Sequence, residues 1–119
     1  HNMNLAINGA NNDLRLSQRS QNNTSDHNMD VNIYSDGNDV HVMQEANQDK
    51  TLNLTINNED NNVFVHQKKP NAHTATITLS GSYGTDLSLT QSSTSAAQSY
   101  SLTQNCQTIG GCSISATQN

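Results

Sequence analysis

The stretch NMDVNIYSDGNDVHVMQ, residues 28–44, holds two short zigzags joined by a turn and closed by a glutamine. In its first half Met29, Val31 and Ile33 alternate with polar residues, so all three lie on one face of an extended strand. In its second half Val40 and Val42 do the same, and Asp36-Gly37-Asn38 between the halves is turn chemistry. The arrangement recurs five times, closing on Gln18, Gln44, Gln67, Gln91 and Gln118. Four and two residues before each glutamine stands an apolar pair: Leu14 and Leu16, Val40 and Val42, Val63 and Val65, Leu87 and Leu89, Ile114 and Ala116. The first strands read Met3, Leu5, Ile7; Met29, Val31, Ile33; Leu52, Leu54, Ile56; Ala75, Ile77, Leu79; and, in the last unit, Gln98, Tyr100, Leu102.

Successive closing glutamines are 23 to 27 residues apart, and a period of that size with two-residue alternation inside each half is the mark of a stacked strand-turn-strand unit. The expected fold is all-β: a β-solenoid of five repeats, approximately 1–23, 24–47, 48–70, 71–95 and 96–119, forming one domain over residues 1–119. One apolar face on two strands is marginally stable alone in water, so the rungs need one another. Equivalent strands pairing rung above rung at ~4.8 Å predict a flat block roughly 24 Å tall. The first inward column is then Met3, Met29, Leu52, Ala75 and Gln98, fading in apolarity toward the last rung.

Composition bounds the alternatives. The 119 residues are 31% hydrophobic, with one Phe and no Trp, and include 19 Asn and 10 Gln, which is poor material for a thick globular core. Such polarity often means disorder, but charged residues are only 13% and the apolar ones keep fixed registers. A net charge of −5 with five Lys or Arg offers little counterion release, so nucleic acid is not an expected partner. No run of about 18 apolar residues is present, so no membrane insertion is expected. No basic and apolar leader precedes His1, and the expectation is that any secretion signal has been removed.

Cys106 and Cys112 bracket Gln107–Gly111 between the strands of the last repeat. They read as a disulfide, hence an oxidising compartment. Free thiols or half a metal site are the alternatives, the latter disfavoured by the lack of a second Cys pair or a nearby His. The distance from the last apolar residue of strand one to the first of strand two is seven in the first three units and twelve in the fifth, Leu102 to Ile114.

Polar ladders follow from the same register. Six residues before the closing glutamine stand Asn12, Asn38 and Asn61, then Thr85 and Cys112, while the glutamine column is unbroken. Identical amides one rung apart can bond along the stack.

The Asn-x5-Gln spacing of Asn12 to Gln18, Asn38 to Gln44 and Asn61 to Gln67 resembles the curlin repeat of bacterial curli amyloid fibres, and the likeness extends over the whole chain through Gln91 and Gln118. What the resemblance implies is a secreted, extracellular subunit that polymerises with itself into biofilm fibres, with a nucleating subunit and a secretion channel as further partners; the alternative within the same class is that this chain is itself the minor nucleator subunit. Open ends of matching register point the same way, since no terminal repeat has a polar outer cap. No charged residue follows Asp86, so residues 87–119 are the expected sticky end.

Enzyme chemistry is not expected, and no cofactor or metal. His27, His41, His66 and His73 share no column in this reading and are expected to be solvated. No nucleophile elbow or phosphate-binding glycine loop is present. Asn22, Asn23 and Asn53 lie in Asn-x-Ser/Thr sequons, relevant only to a eukaryotic secretory route. The competing class is a soluble β-solenoid binding ice or carbohydrate, suggested by Thr74, Thr76 and Thr78. Against it, the rungs equivalent to Thr76 are read as Asn4, Asp30, Asn53 and Ser99, which is no regular threonine row.

Overall fold

The computed structural model describes residues 1–22 and 24–119; Asn23, one of the three sequon asparagines, lies outside the described residues. Among the described residues ten strands run in sequence: β1 Asn2–Ile7, β2 Asp13–Arg19, β3 Asn28–Ile33, β4 Asp39–Glu45, β5 Lys50–Ile56, β6 Asn62–Gln67, β7 His73–Gly81, β8 Thr85–Gln91, β9 Gln98–Cys106 and β10 Cys112–Gln118. They form two five-stranded sheets, β1-β3-β5-β7-β9 and β2-β4-β6-β8-β10, here sheet A and sheet B. Every adjacent pair is parallel. The fold is a β-solenoid of five rungs, each made of one strand from each sheet.

The two strands of a rung face each other across the core rather than hydrogen-bonding edge to edge, so each unit is an arch, not a hairpin. Backbone pairing runs only along the stack, which is why parity dictates the interior: Met29, Val31, Ile33 from sheet A and Val40, Val42 from sheet B are fully buried. Below them Leu52, Leu54, Ile56, Val63, Val65, Ile77, Leu79, Leu87 and Leu89 continue one core. The arcs that lead from sheet B back to sheet A turn on left-handed residues, Ala46 at φ 78° and Lys69 at φ 72°, both two residues past the closing glutamine.

Two readings of the apolar core need correction. Leu5 and Ile7, assigned to the core with Met3, are 49%, 45% and 42% exposed, because the first rung has a neighbour on one side only. Leu14, Leu16, Tyr100, Leu102 and Ile114 are half-buried for the same reason. The other correction is register in rung five. Ala75 pairs with Tyr100, Ile77 with Leu102 and Leu79 with Gln104, so Gln98 stands opposite His73 and the first inward column ends in Tyr100, not Gln98. Strand β9 is nine residues long and its enlarged turn hid the two-residue offset.

Gly81 sits where β7 runs against the end of β9. Its φ is 121°, and a Cβ there would lie 2.2 Å from the Cys106 carbonyl oxygen, so only glycine fits this close approach.

Candidate assembly site

The closing glutamines form one continuous ladder. Each Nε2 donates to the Oε1 of the glutamine one rung on: Gln18 to Gln44 at 2.9 Å, Gln44 to Gln67 at 2.9 Å, Gln67 to Gln91 at 2.8 Å and Gln91 to Gln118 at 2.8 Å. The second hydrogen of each amide crosses the core to a sheet A carbonyl, those of Asn2, Asn28, Thr51, Thr74 and Ser99 in turn. One side chain thereby ties rung to rung and sheet to sheet, and Gln44, Gln67 and Gln91 are fully buried. The ladder is directional and unfinished at both ends. Gln18 Oε1 has no donor and Gln118 Nε2 has one hydrogen without an acceptor among the described residues.

The asparagine ladder runs with opposite polarity. Asn12 Oδ1 accepts from the Asn38 backbone N–H at 2.9 Å and from its Nδ2 at 3.0 Å; Asn38 Oδ1 accepts likewise from Asn61 at 3.0 and 2.8 Å. Asn61 Oδ1 then accepts only the Thr85 backbone N–H, at 2.8 Å, where the column leaves asparagine. Thr85 Oγ1 is buried without a partner among the described residues. Burying an unpaired hydroxyl costs about 1–3 kcal/mol, so Thr85→Val, which keeps the shape and removes the hydroxyl, is expected to stabilise the monomer by about 1 kcal/mol. Urea unfolding should show the midpoint rising at unchanged slope.

The two ends of the stack are apolar but not alike. Rung one presents Met3, Leu5 and Ile7, and rung five presents Tyr100, Leu102 and Ile114. Their outer strands also leave unpaired backbone N–H and C=O groups on β1, β2, β9 and β10. Covering the three rung-one side chains is worth roughly 1 kcal/mol each at about 25 cal/mol per Å² of apolar surface. Asp13 and Asp39 stack in register on the outer face of sheet B, with Arg15 Nη2 3.7 Å from the Asp13 carboxylate.

Cys106 and Cys112 are joined as a disulfide closing the enlarged turn of rung five. Ile109 at its tip is 85% exposed. Asp60, Tyr83, Gly84 and Gly111 line a cleft beside the loop, and the loop is tied to the turn of rung four, where the Cys112 N–H donates to the Gly84 carbonyl at 3.0 Å.

One buried column escaped the sequence reading. His27, Lys50 and His73 occupy equivalent inward positions and are fully buried, with His1 stacked on His27 at 4.6 Å between ring centroids. His27 and His73 were read as solvated and columnless; both are interior because strand parity carries on past the last apolar residue. Their spacing is the missed signal: 50 − 27 and 73 − 50 both equal 23, one repeat. His73 Nε2 donates to the Lys68 carbonyl at 2.9 Å and His27 Nε2 to that of Arg19 at 3.2 Å, which fixes the tautomer and leaves both Nδ1 atoms buried without a partner. Lys50 Nζ donates to the carbonyls of Gln48 and Asn71, each at 2.7 Å. Burial holds both imidazoles below their ordinary value, and the Lys50 charge pushes the same way. Burial pushes the Lys50 ammonium down to about 8, with Asp49 opposing. His41 and His66 lie on the outer face of sheet B beside Phe64, and His66 Nε2 is 3.2 Å from a Glu45 carboxylate oxygen.

No group of three or more His, Cys, Asp or Glu gathers as a metal site among the described residues. Among the described residues no helix is long and apolar enough to cross a membrane. Comparison with protein-family models, curated proteins and solved structures gave no match.

Proposed function

We propose that this chain is a structural subunit of an extracellular curli-like amyloid fibre, built by head-to-tail stacking of solenoids, that serves in a biofilm matrix and in surface adhesion. The observation that carries the reading is the glutamine ladder, which leaves a free acceptor on Gln18 at one end and a free donor on Gln118 at the other. A second copy placed rung one upon rung five supplies each missing partner, continues both parallel sheets and covers the apolar ends. The curlin-type spacing and the disulfide support secretion, and a nucleating subunit and a secretion channel are the partners this reading brings with it. The subunit is a non-enzyme in this proposal and uses no cofactor.

Incubation at neutral pH should give thioflavin-positive filaments by electron microscopy. Ser101→Lys with Ser115→Lys, two charges on the uncharged last rung, should lengthen the lag several-fold; unchanged growth would remove the sticky-end assignment.

A second reading has one observation in its favour. The observed register sets Ser101, not Ser99, beside Thr76, so sheet A carries the rows Thr51-Thr74-Ser99, Asn53-Thr76-Ser101 and Thr55-Thr78-Thr103. That is a flat hydroxyl-rich patch suited to a soluble module that binds ice or carbohydrate. A species that stays monomeric on size exclusion after prolonged incubation would favour it.

A further inference from the structure

The outer faces of the two sheets differ in charge. Within its strands sheet B points Asp13, Arg15, Arg19, Asp39, Glu45 and Asp86 outward. Sheet A, with the same number of rungs, points out a single charge among its described strand residues, Asp30, which already accepts a hydrogen bond from Asn4 Nδ2 at 2.6 Å. From rung three to rung five its outward residues are Thr, Ser and Asn only. We propose that the outer face of sheet A is the lateral contact between fibres, occupied by the same face of a second stack.

This contact presupposes the end-to-end stacking proposed above. Small Thr, Ser and Asn side chains in straight columns at rung spacing are the surface that interdigitates between paired β-sheets and excludes water, whereas charged columns resist such pairing. Like faces can meet only where like charge is scarce, and among the described residues sheet A alone meets that condition. Area then sets the order of events. Five rungs at ~4.8 Å and about six residues at ~3.3 Å give roughly 480 Å² per subunit, short of the ~800 Å² per partner of a stable specific interface. Two monomers therefore do not hold together by this face. Stacks of several subunits multiply the area without further entropy of association, so bundling follows elongation.

The test compares three proteins grown under identical conditions and imaged: the native chain, Asn32→Lys with Thr76→Lys on sheet A, and Met43→Lys with Ser88→Lys on sheet B. Both pairs lie on separate rungs and columns, leaving Gln18 and Gln118 untouched. The expected result is paired or bundled filaments for the native chain and the sheet B variant, and single filaments growing at the native rate for the sheet A variant. A sheet A variant that still bundles, or a sheet B variant that disperses equally, overturns the assignment while leaving the assembly reading intact. So do native filaments that stay single until a neutral polysaccharide is added, an outcome that gives the face to a glycan. Absence of filaments in all three defeats the assembly reading and this inference with it.

Discussion

Gln67→Ala is expected to destabilise the isolated chain by about 4 kcal/mol, whereas Gln18→Ala costs it less than about 1 kcal/mol, although the two residues occupy the same column. Gln67 donates to Thr51 O and to Gln91 Oε1 and accepts from Gln44 Nε2, all away from solvent. Its truncation strands the Gln44 amide hydrogen and the Gln91 carbonyl in a dry interior, at about 1–3 kcal/mol each, and leaves a cavity besides. Against a typical total of about 5–15 kcal/mol for a domain, that is a large share. Gln18 also bonds Gln44 and Asn2 O, but at a wet edge where solvent replaces what is lost. Urea titration of freshly prepared monomer measures both. In the fibre the ranking changes: Gln18 becomes interior when another subunit covers it, so Gln18→Ala should slow seeded elongation severely while barely altering monomer stability. Equal loss of monomer stability for both variants would contradict the ladder as the tie between rungs.

Acidification from pH 7.5 to pH 5 is expected to destabilise the chain, through His27 and His73. The folded pKa of each lies below 6.5, so as pH falls the unfolded state takes up protons first. Stability is therefore fully present above pH 6.5 and declines below it, by about 1.4 kcal/mol for each unit separating the folded and unfolded values. Geometry makes the charged forms unwelcome. Each ring already donates through Nε2, each Nδ1 is sealed off, and the Lys50 ammonium stands between them in the column. His1 above His27 and Asp49 near the arc are the other ionisable groups beside the column, and of these Asp49 favours a proton on His27 while the Lys50 charge opposes it. For Lys50, with a folded value of about 8 against 10.5, the unfolded state holds the proton longer, so stability rises as pH climbs from 8 to 10.5, by up to about 3 kcal/mol. Lys50→His, matching the rungs on either side, should raise neutral-pH stability and abolish the alkaline gain. A pH-stability curve flat between 5 and 7.5, or an alkaline gain surviving Lys50→His, would contradict this.

The period of the fold was legible because the glutamines and the apolar pairs carry it independently. Val40 and Val42 lie inward by parity and Gln44 follows by the same parity, so strand and ladder were read from one count. Two things were hidden. Rung five lost its register because Gln104 stands where an apolar residue ends strand one in the other units, and Leu102 was taken for that residue. The buried His27-Lys50-His73 column was invisible to a search for apolar residues, since burial there is enforced by backbone stacking rather than by hydrophobicity. Exposure of Leu5 and Ile7 likewise follows from position in the stack, which no local pattern encodes.

The most direct measurement is fibre diffraction, or imaging of a filament at rung resolution. End-to-end stacking predicts strands perpendicular to the filament axis at ~4.8 Å, a subunit repeat of five rungs or roughly 24 Å along that axis, and Gln118 of one copy against Gln18 of the next. Filaments whose subunits associate through their sides with rungs one and five left bare, or a chain that stays monomeric at every concentration tried, would contradict it.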